Sequence, residues 1–133
     1  QIIAARLNLE DQKELLKIIR AKEIQTVSLA GQASFSESYA KVFWNKKKEH
    51  LYLDAQGLPE PPEGMVYQVW SLTLNPLTPT SIGLLNDFIL NEDKIFNLTN
   101  ENASEAFGIT LEPEGGSDSP NLDQLYTLGT VSS

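Results

Sequence analysis

The spacing of apolar and polar residues along this chain changes once, near residue 24. Before that point Leu9, Leu16 and Ile19, with Leu15 and Ile18 beside them, recur at helical spacing and draw one apolar stripe. Asn8 stands where an N-cap residue belongs, and Asp11 follows three residues later in a capping-box-like position. Glu10 with Lys13 and Glu14 with Lys17 are opposite charges one turn apart. Residues 1–23 are therefore expected to form a short amphipathic helix. A helix of about 15 residues is marginal alone in water, so its stripe must pack on the domain, pair with another copy or continue a longer helix. The opening Gln1-Ile2-Ile3-Ala4-Ala5 has no initiating methionine and is expected to be the cut end of a longer chain.

From Ile24 the texture is that of strands separated by turn residues. Residues 24–29, 40–45 and 49–54 come first, the last two flanking Lys46-Lys47-Lys48, which suggests a hairpin kept soluble by its lysine turn. A proline-rich break over residues 57–64 leads into the strongest strand, Gly64 to Leu74, in which both alternating faces are largely apolar, as in a strand covered on both sides. Trp70, Leu72 and Leu74 of this strand are expected to face an inter-sheet core. A second proline-punctuated turn covers residues 75–81, and strands are expected at 82–85, 88–90 and 95–98. Residues 106–112 are a clean period-two strand with Phe107, Ile109 and Leu111 on one face, and residues 122–131 are a last strand candidate after the turn at 113–120. Seven or eight short strands about ten residues apart predict a mainly β chain, an antiparallel β-sandwich over residues 24–133 preceded by the helix. Its expected core residues are Trp44, Tyr67, Trp70, Leu72, Phe107, Ile109 and Leu111.

Composition narrows this further. The 133 residues fit one domain, and no apolar run of the roughly 20 residues needed to span a bilayer is present. The absence of cysteine excludes disulfides, thiol nucleophiles and cysteine-bound metals, and leaves the compartment open. The net charge of −8 is split: residues 1–50 hold nine Lys/Arg against six Asp/Glu, and residues 51–133 hold one against twelve. So acidic a second half disfavours nucleic acid, whose binding needs cations against phosphates.

Candidate chemistry is sparse. The single histidine, His50, lies on an expected edge strand with no G-x-S-x-G serine in the chain, so no Ser-His-Asp arrangement is indicated. Phosphate-loop, dinucleotide, H-E-x-x-H and calcium-loop patterns do not occur, and no cofactor or metal site is expected. Asn97-Leu98-Thr99 and Asn102-Ala103-Ser104 match the glycosylation sequon, which matters only in a eukaryotic secretory protein. Trp44, Trp70 and Tyr67 could make an aromatic platform for a sugar, but large aromatics on alternating strands are more often core.

The succession Trp44, Gly57-Leu58-Pro59, Pro62-Glu63-Gly64, Tyr67-Gln68-Val69-Trp70 and then Phe107 to Ser117 resembles the C-terminal domain of the RskA-type anti-sigma-K factors, over roughly residues 24–131. The resemblance implies a non-enzymatic domain held outside the bacterial inner membrane by an upstream single-pass helix. A cytoplasmic domain, also absent from this chain, would bind an extracytoplasmic-function sigma factor, and an intramembrane or periplasmic protease would release it. Residues 1–23 would then be a membrane-proximal stalk that could pair into a homodimer. The rival expectation is a surface carbohydrate-binding or adhesion module.

Overall fold

The computed structural model describes residues 24–131, so the helix expected over residues 1–23 lies outside the described residues. Eight strands follow in chain order: β1 (Ile24–Gly31), β2 (Tyr39–Asn45), β3 (His50–Asp54), β4 (Met65–Thr73), β5 (Thr78–Leu84), β6 (Ile95–Thr99), β7 (Ala106–Pro113) and β8 (Leu125–Thr130). All pair antiparallel in one sheet of order β5-β4-β7-β8-β1-β2-β3-β6.

This corrects the sandwich expectation: the chain builds one continuous, nearly barrel-shaped sheet and not two separate ones. Two four-stranded halves do face each other across a core, but they are joined where Ala30 and Gly31 of β1 pair with Leu128 and Thr127 of β8. The seam depends on close backbone approach, since a Cβ at Gly129 would lie 2.1 Å from the Ser28 carbonyl oxygen. At the opposite side the two end strands meet through side chains, with Leu98 of β6 against Gly83 of β5. Curling a twisted sheet until its end strands touch leaves their backbone edges unpaired but brings them against each other, which shields edges that would otherwise recruit other strands.

The interior is filled from both halves. Trp44, Leu51 and Leu53 come from β2 and β3, and Tyr67, Val69, Phe107, Ile109 and Leu111 from β4 and β7, all buried in one apolar cluster. The ring of Trp44 meets Phe107 edge-on with centroids 5.3 Å apart, a favoured aromatic geometry. Trp70 and Leu72 lie elsewhere. They share the opposite face of β4 and form a second cluster with Ala106, backed by Leu128, while Leu74 is 40% exposed. The expectation that Trp70, Leu72 and Leu74 face the interior is therefore corrected. Because β4 is buried at seven consecutive positions, its apolar pattern did not distinguish the two faces.

Two further elements differ from expectation. Thr78 to Ser81, read as turn, belongs to β5, where Pro79 is tolerated because the strand lies at the end of the sheet. Residues 88–90, read as strand, lie in a turn segment. There Phe88 is buried against Tyr67 and Phe96, with ring centroids at 5.3 Å and 6.1 Å, while Ile89 and Leu90 point outward.

Candidate functional site

The outer face of β4, β7 and β8 gathers the features that the interior does not use. Register places Trp70 opposite Gly108, Gln68 opposite Thr110, Val66 opposite Glu112 and Leu72 opposite Ala106, so these eight residues line one surface. On its β8 side, Leu128 stands opposite Gly108, Leu125 opposite Thr110 and Thr130 opposite Ala106. The connection over residues 114–124 folds back over this surface and closes one side of a groove of about 240 Å³. Trp70, Leu72, Ala106 and Gly108 contribute to its lining along the strands, together with Leu125 and Leu128. Leu74, Leu77, Pro120 and Leu122 complete its apolar rim, and Leu77 and Leu122 are 53% and 60% exposed.

Beside the groove runs a chain of buried polar contacts. The Trp70 indole Nε1 donates to Thr110 Oγ1 at 2.8 Å, and Thr110 Oγ1 donates in turn to Glu112 Oε2 at 2.6 Å. Glu112, buried to 1% exposure, also accepts from Ser117 Oγ at 2.7 Å and from the Asn121 backbone N–H at 2.8 Å. Gln68 completes the tie. Its Oε1 accepts from the Ser117 N–H at 2.9 Å, and its Nε2 donates to Ser81 Oγ at 2.7 Å and to the Ser117 carbonyl at 3.1 Å. Gly116 lets the connection pass this close, because its φ of +83° suits glycine and a Cβ would sit 2.8 Å from Leu84 Cδ2. A buried carboxyl group is tolerated only when its hydrogen-bonding capacity is met. Here that requirement fixes the 114–124 connection to the sheet.

A second cleft, about 400 Å³, opens between the proline-rich loop and the 85–89 turn, with Glu60, Glu63 and Glu114 among its lining residues. Its walls mix carboxylates with Met65, Phe88 and Ile89. No group of histidine, aspartate or glutamate able to hold a metal occurs among the described residues. His50 is half-buried, paired with Thr99 on β6 and edge-on to the Tyr52 ring at 4.9 Å. The lysine run forms the β2–β3 turn as the pattern predicted, closed by the Asn45 side chain accepting from the Lys48 N–H, with Lys46 5.3 Å from the Trp44 ring.

The three aromatics weighed as a sugar platform are separated. Trp44 and Tyr67 are wholly buried in the interior, whereas Trp70 is buried under the opposite face. Tyr67 donates from its hydroxyl to the Pro59 carbonyl at 2.7 Å, anchoring the proline-rich loop. Burial, and then the neighbouring Tyr126 phenol, raise the Tyr67 pKa above the ordinary tyrosine value. Burial likewise raises that of Tyr126. The second sequon is part of the fold: Ser104 is buried, bonded to the Ser71 hydroxyl and to Asn100 Nδ2 at 3.0 Å, and Asn102 Nδ2 donates to Asn100 Oδ1 at 3.0 Å. The Glu112 network was missed in the sequence. Its signal was a carboxylate at an alternation position of an otherwise buried strand, followed by a Gly-Gly-Ser turn.

Comparison with known proteins adds a lineage to this geometry. The sequence pattern of the family described as "Anti-sigma-K factor rskA, C-terminal" matches residues 2–125. A protein of Streptomyces griseus described as an uncharacterized protein in the phr 5' region is 30% identical over 118 residues, 87% of this chain and 46% of that protein. The anti-sigma-K factor RskA of Mycobacterium sp. strain KMS is 28% identical over 114 residues, 84% of this chain and 44% of its own, and that of strain JLS gives the same values. The chain thus spans less than half the length of the curated relatives it matches. No solved structure matches it.

Proposed function

The chain belongs to the family of anti-sigma-K factor RskA C-terminal domains, and from that membership we propose that it is the extracytoplasmic regulatory domain of a membrane-bound anti-sigma factor. The observation that carries this reading is the family match over residues 2–125. In the whole protein a separate cytoplasmic domain sequesters an extracytoplasmic-function sigma factor, and a membrane helix links that domain to this one. An intramembrane or periplasmic protease ends the repression. No helix among the described residues is long and apolar enough to cross a membrane, so the membrane contact is assigned to chain outside them. The role is regulatory and not catalytic: its physical basis is whether the sheet stays folded.

Two structural features are compatible with control through fold integrity. The interior is continuous across both halves of the sheet, so loss of one large core side chain weakens the domain as a unit. The outer face is stapled through the buried Glu112 carboxyl group and the Gln68 side-chain amide. The test is a reporter of sigma-dependent transcription in cells carrying the full-length protein. Phe107→Ala, which removes a wholly buried ring, should raise reporter output without an inducer. Full repression by a Phe107→Ala protein shown to be membrane-inserted and destabilised would overturn the proposal.

A further inference from the structure

We draw no further inference here: the strongest candidate, the apolar groove on the outer face of β4, β7 and β8 with Leu74, Leu77 and Leu122 exposed at its rim, carries none because nothing in the structure shows what covers it.

Discussion

The two faces of β4 and β7 bury comparable apolar side chains yet hold them in different ways. Inward, Tyr67, Val69, Phe107 and Ile109 pack into a cluster fed by both halves of the sheet, with ring-to-ring contact between Phe107 and Trp44. Outward, Trp70 and Leu72 have a smaller cluster, and burial there is completed by a connecting segment held through hydrogen bonds to Gln68 and Glu112. The inner face is secured by packing and the outer one by a polar clamp over a hydrophobic groove. The difference matters because dispersed packing fails as a unit, whereas a clamp can open locally without unfolding the rest.

The largest effect is expected on the inner face. Phe107→Ala and Trp44→Ala should each destabilise the domain by about 3–5 kcal/mol, the range for truncating a buried aromatic. Chemical denaturation checks this, and a cost below about 1 kcal/mol for either would mean that the interior is not the unit described. Because the Trp44 Nε1 has no hydrogen-bond partner within the described structure, Trp44→Phe should cost much less than Trp44→Ala. Glu112→Ala comes next, at about 2–4 kcal/mol, because three donors lose a buried acceptor. Its signature separates the faces: amide exchange should accelerate over residues 114–124 well before it does in β2 and β3. Uniform acceleration would show that the clamp and the core are one cooperative unit.

Much of this architecture was legible in the sequence, and the misreadings have physical causes. Period-two patterning located β7 and placed Phe107, Ile109 and Leu111 on one face, because polar or small residues alternate with them. In β4 that contrast is missing. Val66, Trp70 and Leu72 are as apolar as Tyr67 and Val69, so the strand was readable but its orientation was not. The joining of the two halves was hidden for another reason: it depends on two residue pairs between β1 and β8 and on the small size of Gly129, features with no periodic signal. The turn around Phe88 imitated a strand because three apolar residues stand together, although only Phe88 is buried. Glu112 looked like one acid among many, since two of its three donors stand five and nine positions later in a connection without regular pattern.

The smallest expected effect sharpens the comparison through pH. Tyr67 belongs to the inner face, and its hydroxyl holds the proline-rich loop through the Pro59 carbonyl. Burial raises its pKa above the usual 10.0, so the folded domain keeps the phenol neutral where the unfolded chain has begun to ionise. A raised folded-state pKa gives a contribution that is complete below about pH 10 and is lost as pH climbs beyond it. Stability should therefore fall above pH 10, with Tyr126 adding to the same trend because burial raises its pKa too. Tyr67→Phe should cost about 1 kcal/mol at neutral pH, the net value of one hydrogen bond, and should show a shallower alkaline decline. Denaturation curves of both proteins between pH 7 and pH 11 should then converge. Parallel curves over that range would show that Tyr67 is not kept neutral by the fold, and that the alkaline sensitivity of the inner face has another source.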